Sequence, residues 1–174
     1  MILAHKQKAK GKKQFLFHAL LLFSIILLDQ LSKYWIAKHF ILGETYPLLP
    51  FLALHYTYNE GIAFSLFSSS PTFFLILSSS LILIALSYLW YKTETKQKLA
   101  RLGYNFIVAG ALGNLIDRIR LGHVIDFISF YVTDLFHFAI FNVADSFITI
   151  GAIIIILEEI LLFLNKRKYL TNQE

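Results

Sequence analysis

Four apolar stretches of about twenty residues each, at roughly 15–36, 71–91, 100–119 and 141–164, set the terms on which this chain can fold. A stretch of that length spans the hydrocarbon core of a bilayer as a helix, and inside lipid a backbone satisfies its own N–H and C=O groups only as a helix or a closed barrel. The expectation is an all-α membrane protein of four transmembrane helices with a small β element. Its 174 residues are 57% hydrophobic and 16% charged, and a mean hydropathy of +0.63 excludes an ordinary soluble domain. The first stretch is too long for a signal-peptide core and lacks a small-residue cleavage site. There is no cysteine, so disulfides, thiolate metal sites and a cysteine nucleophile are excluded.

Basic residues flank these spans on one side. Lys6, Lys8, Lys10, Lys12 and Lys13 precede the first, Lys92, Lys96, Lys98 and Arg101 lie between the second and third, and Lys166, Arg167 and Lys168 follow the fourth. The positive-inside rule puts that side, with both termini, in the cytoplasm, and 1–174 reads as one integral membrane domain. The net charge of +5 therefore reflects topology, and the partner it implies is the lipid bilayer and no nucleic acid. Between 37 and 70, Pro47 and Pro50 break any helix, LALHYTYN alternates with a period near two, and Asn59-Glu60-Gly61 supplies turn chemistry before IAFSLF. A small hairpin or cradle with an apolar face on the membrane surface is expected there. A second strand-like stretch, RLGHVIDFISFYVTDLFHF, precedes the fourth span.

Polar groups that are expensive near lipid collect at the outer ends of the spans and mark a functional site. Asp29 and Lys33 stand four apart on one helical face, able to pair with each other or with a ligand. Gly103, Ala109, Gly110 and Gly113 give the third span a small-residue surface for close helix packing, and Asn114 and Arg118 share a face at its end with Asp117 close by. Asp126 lies in the apolar run HVIDFISF without a local basic partner, and Asp145 lies where the fourth helix begins, a position that also suits a capping carboxylate. Two carboxylates held together share a proton, so that one residue type supplies both an acid and a base, which suffices for peptide hydrolysis by an activated water. His55, His123 and His137 fall on the outer side without the i, i+4 pairing of a zinc site, so no metal or other cofactor is expected. Ser68-Ser69-Ser70 reads as a loop, and no Gly-x-Ser-x-Gly elbow occurs. Glu158 and Glu159 face a neighbouring helix or the inner headgroups, with no functional role assigned.

The blocks Asp29-Gln30-Leu31-Ser32-Lys33, Asn59-Glu60-Gly61-Ile62-Ala63-Phe64, Gly113-Asn114-Leu115-Ile116-Asp117-Arg118, Val124-Ile125-Asp126-Phe127 and Phe141-Asn142-Val143-Ala144-Asp145-Ser146, in this order, resemble the bacterial prolipoprotein signal peptidases, also called signal peptidase II. The resemblance runs from the first span to the fourth. It implies a four-helix aspartyl endopeptidase, with a β cradle on the membrane surface, that cuts just before the diacylglyceryl-modified cysteine of prolipoproteins at the outer face of the bacterial cytoplasmic membrane. By the same resemblance Asp126 and Asp145 match the catalytic dyad, and Asp29, Lys33, Asn59, Gly110, Asn114, Arg118, Asn142 and Ala144 match positions that shape or line the substrate pocket. Inhibition by globomycin-type cyclic peptides is implied as well, and a monomer is expected.

One rival reading uses the same residues. Four spans with a carboxylate in the first, Asp29, would also suit a small proton-coupled exporter. A transporter places its coupling site near the midplane, whereas Asp126 and Asp145 fall in or beside interfacial segments.

Overall fold

The computed structural model describes residues 2–61, 72–132, 136, 137 and 139–171, with side chains described except at 2–10, 132, 136, 137 and 169–171. Its elements run α1 (Ile2–His39), β1 (Thr45–Leu49), β2 (Leu52–Asn59), α2 (Thr72–Lys92), α3 (Lys98–Leu121), β3 (Val124–Val132), β4 (Phe136–His137) and α4 (Val143–Thr171). Within these, Gly11–His39, Thr72–Lys92, Lys98–Leu121 and Val143–Lys168 are long and apolar enough to cross a membrane. The four expected spans are thus present, each running a little beyond its apolar stretch. Their outward faces carry exposed Phe23, Leu31, Phe73, Ile84, Ile156 and Phe163. Such a surface is stable only against lipid, because water would have to solvate the whole apolar girdle.

Helix α3 is the axis of the bundle. It packs on α4 through small residues: a Cβ added at Gly103 would meet the Gly151 carbonyl at 2.6 Å, and one at Gly110 would run into the Ala144 carbonyl and lie 2.8 Å from Ile148 Cγ1. Bare backbones therefore touch at two points a helical distance apart, the close approach that replaces hydrophobic driving force between helices in lipid. Glu158 of α4, buried, accepts the N–H of Ala100 in the first turn of α3, satisfying a donor that has no partner within its own helix. At its other end α3 stops at Gly122, whose φ of +82° is left-handed and whose N–H closes on the Arg118 carbonyl at 3.1 Å. Only glycine adopts that conformation without steric cost, and the turn delivers the chain into β3.

The strands form one antiparallel sheet in the order β1-β2-β3-β4. A hairpin lies between β1 and β2, turning at Pro50 and Phe51. Asn59 ends β2, and its side-chain oxygen accepts the Gly61 N–H at 3.0 Å, a local asparagine turn. The second limb of the expected cradle, Ile62–Phe67, and also Ser68-Ser69-Ser70 and Pro71, lie outside the described residues. Ile36 at the end of α1 packs with Tyr56, Ile125 and Phe127, so one face of the sheet is nailed to the bundle. β1 is exposed throughout and carries Tyr46, Leu48 and Leu49, an apolar rim at the edge of the lipid.

Candidate active site

The head of α4 is capped by a reciprocal pair. Asn142 Oδ1 accepts the Asp145 N–H at 3.0 Å, and Asp145 Oδ2 accepts the Asn142 N–H at 3.1 Å, the geometry of a capping box. The Ala144 N–H between them donates to Asp29 Oδ1 at 2.9 Å, across from α1. Capping therefore accounts for one oxygen of Asp145 and leaves the other, Oδ1, to accept from Asn114 Nδ2 at 2.8 Å. The two readings of Asp145, cap and site carboxylate, are compatible in one side chain.

Asn114 is aimed by a buried ion cluster. Lys33 Nζ donates to Asn114 Oδ1 at 2.9 Å and pairs with Asp29 Oδ2 at 2.9 Å and Asp117 Oδ2 at 2.8 Å. Three charges this deep survive only because each has a partner. Gln30 completes the cluster, donating to Asp117 Oδ1 at 2.9 Å and to Asp29 Oδ2 at 3.2 Å. Gly113 leaves room for it, since a Cβ there would lie 2.6 Å from Asp29 Oδ2. With its oxygen turned to the lysine and to Asn142 Nδ2 at 3.1 Å, the Asn114 amide can only present its NH₂ to Asp145.

Asp126 comes from the sheet. It faces Thr57 of β2, and alternation along β3 turns it away from Ile125 and Phe127, which enter the apolar cluster. Asn59 Nδ2 donates to Oδ2 at 2.9 Å and Asn142 Nδ2 to Oδ1 at 2.7 Å. Asn142 thereby bridges the two carboxylates, with its amide on Asp126 and its backbone N–H on Asp145. Burial first, and then the negative charge of Asp145, push Asp126 up to about 6; the bonds from Asn59 and Asn142 and the charge of Lys33 pull the other way. A carboxyl so placed keeps its proton at a pH where an exposed aspartate has lost it.

A cavity of about 600 Å³ opens onto this pair, with Asn59, Asn114, Arg118, Asp126 and Asp145 on its polar side and Ile82, Ile148 and Ile150 among its apolar lining. Arg118 is held by the Gly61 carbonyl at 2.7 Å and lies within electrostatic reach of Asp117, Asp126 and Asp145, yet its Nε–H is buried without a partner, a donor free for a guest carbonyl. Asp29, Lys33, Gly110, Asn142 and Ala144 do not reach the cavity wall and bear on the site from behind. Among the described residues no group of three or more His, Asp or Glu could hold a metal ion: His55 bonds Thr45 and His123 stacks on Tyr58, while the His137 side chain lies outside the described ones. Sequence reasoning left out Asp117 and Gln30 as members of the site. The available signal was their spacing, Asp117 three residues after Asn114 and Gln30 three before Lys33, which puts each pair on one helical face.

A family model described as signal peptidase (SPase) II matches residues 21–161. The lipoprotein signal peptidase of Bartonella quintana (strain Toulouse) is 47% identical over 158 residues, 91% of this chain and 95% of that one. That of Sinorhizobium fredii (strain NBRC 101917 / NGR234) is 43% identical over 143 residues, 82% of this chain and 86% of that one. A bacterial membrane enzyme solved by the in meso method at 2.3 Å resolution superposes with a TM-score of 0.78 at 34% identity, covering 86% of this chain and 91% of that one. Fold, cavity and likeness together define a multi-pass bacterial membrane enzyme, and specifically a peptidase of the aspartic class. The chain belongs to the signal peptidase II family, aspartic peptidase family A8.

Proposed function

We propose that this enzyme removes the signal peptide from diacylglyceryl-modified prolipoproteins, cutting just before the lipid-modified cysteine at the outer face of the cytoplasmic membrane, with Asp126 and Asp145 as its catalytic pair. The single observation that carries the reading is the bridge through Asn142, which ties two carboxylates of different elements, both on the wall of a mainly apolar cavity, to one residue behind them. Asp126, with its raised affinity for a proton, enters protonated and stabilises the developing oxyanion. Asp145 takes the proton of a water held between the two, and the amine leaves protonated. Asn59 and Arg118 hold the substrate backbone, while Asp29, Lys33, Gly110, Asn114, Asn142 and Ala144 shape the pocket around it. The apolar wall suits the acyl chains, and globomycin-type cyclic peptides would compete for the same space.

All of these side chains come from one chain, so a monomer is sufficient. Exposed Lys12 and Lys13, Lys92, Lys96 and Lys98, and Lys166, Arg167 and Lys168 keep the opposite end, with both termini, in the cytoplasm. The exporter reading loses its coupling group, because Asp29 is closed in by Lys33, Gln30 and the Ala144 N–H. The test is cleavage of a lipid-modified prolipoprotein by the purified protein in detergent. Asp126→Asn and Asp145→Asn should each abolish it while leaving the helix content unchanged; full turnover in either would remove the dyad.

A further inference from the structure

Five buried side-chain polar atoms have no hydrogen-bond partner among the described residues. One, Arg118 Nε, lines the cavity. The other four, His18 Nδ1, Trp90 Nε1, Arg101 Nε and Asn105 Oδ1, all lie together at the opposite end of the bundle. Arg101 and the carboxylate pair are separated by about 20 Å, the rise of α3 from Arg101 to Asn114. The Arg101 guanidinium lies over the Trp90 ring at 5.0 Å, and its Nη1 donates to the Thr93 carbonyl at 3.0 Å. The His18 ring, 5% exposed, stands edge-on to Trp90 at 5.7 Å. Asn105, 3% exposed, donates its Nδ2 to the His18 carbonyl at 3.1 Å.

Orphaned buried donors and acceptors are costly, and a cation is the costliest. Arg101 makes no ion pair among the described residues, and the one buried carboxylate nearby in α4, Glu158, is engaged with the Ala100 N–H. Exposed Lys92, Lys96 and Lys98 surround the same end, and Glu94, the acid of that turn, is exposed and makes no ion pair among the described residues. What is missing is an anion.

We propose that this cluster is a binding site for the phosphodiester of an anionic, hydroxyl-bearing phospholipid of the cytoplasmic leaflet. The depth fits, since this is the basic end of the spans, and basic pockets between helices on that side are where anionic headgroups bind. A phosphate oxygen accepts from Trp90 Nε1–H and Arg101 Nε–H together. Behind it a headgroup hydroxyl satisfies both remaining atoms, donating to Asn105 Oδ1 and accepting from His18 Nδ1–H in the Nδ1-protonated tautomer. A quaternary ammonium headgroup can do neither and would be repelled by Arg101.

Native mass spectrometry and thermal unfolding of the full chain in lipid-free detergent, titrated with phosphatidylglycerol, phosphatidylcholine or inorganic phosphate, test this. Phosphatidylglycerol should be retained at one molecule per protein and raise the Tm, and neither of the others should. Trp90→Phe keeps an aromatic face toward Arg101 and His18 and removes the N–H together with the pyrrole half of the indole. It should weaken phosphatidylglycerol binding about tenfold, and Arg101→Gln at least as much, as expected for loss of a hydrogen bond to a charged group. Unchanged peptide cleavage by Trp90→Phe in phosphatidylcholine micelles will show that the variant is folded. Equal retention of phosphatidylglycerol and phosphatidylcholine, an equal effect of inorganic phosphate, or wild-type affinity in Trp90→Phe would each overturn the proposal.

Discussion

The hydrogen bond from Asn59 to Asp126 sets the pH at which the proposed acid fails, and Asn59→Leu removes it while keeping a side chain branched at the same carbon. In the wild type Asp126 keeps its proton up to about 6, so kcat/KM should fall about tenfold for each pH unit beyond that limb. Asn59 Nδ2 donates at 2.9 Å and can serve only the carboxylate lone pairs, so it favours the ionised form and holds the value down. A bond to a charged group contributes roughly 1.5–3 kcal/mol, and one pKa unit corresponds to about 1.4 kcal/mol. Losing it should therefore carry the alkaline limb upward by about one to two units. Stability follows the same sign: the contribution of Asp126 is fully present below the unfolded value of 3.8 and lost as pH rises through about 6. The variant should lose it at a correspondingly higher pH. The assay is initial-rate cleavage of a lipid-modified prolipoprotein in micelles from about pH 4 to about pH 9, a range that spans the alkaline limb, with tryptophan fluorescence recorded at each point. An unmoved limb, or one displaced toward acid, would refute the role given to Asp126.

Lys33→Met should leave Asp29 and Asp117 buried without their cation, costing about 3–5 kcal/mol of stability, seen as a large fall in Tm with activity lost alongside. Gly110→Val should force α3 away from the Ala144 carbonyl and Ile148. A packing cost of about 1–3 kcal/mol and loss of cleavage are expected, the second because Ala144 and Asp145 move together; wild-type turnover would show that the crossing is not needed. Cleavage should survive EDTA, because two carboxylates and a water complete the reaction, and loss of turnover restored by one divalent ion would replace that mechanism with a metal one.

Span number, the strand character of LALHYTYN and HVIDFISF, and the outer-face convergence of polar groups were legible in the linear chain, because periodicity, length and the cost of charge in lipid are local properties. Strand pairing was not. LALHYTYN reads as a strand, but that it pairs with β3, more than sixty residues on, is not a local property. Asp145 read as either a cap or a site residue, and only the approach of Asn114 from α3 shows one oxygen in each role. Glu158 had no role until α3 and α4 were side by side. The amide orientations of Asn114 and Asn142, on which the site depends, come from Lys33 eighty-one residues away from the first and from Asp126 sixteen away from the second. A side chain's identity states which hydrogen bonds it can make; which of them it makes is decided by whatever the packing brings within 3 Å, and that is a property of the tertiary structure alone.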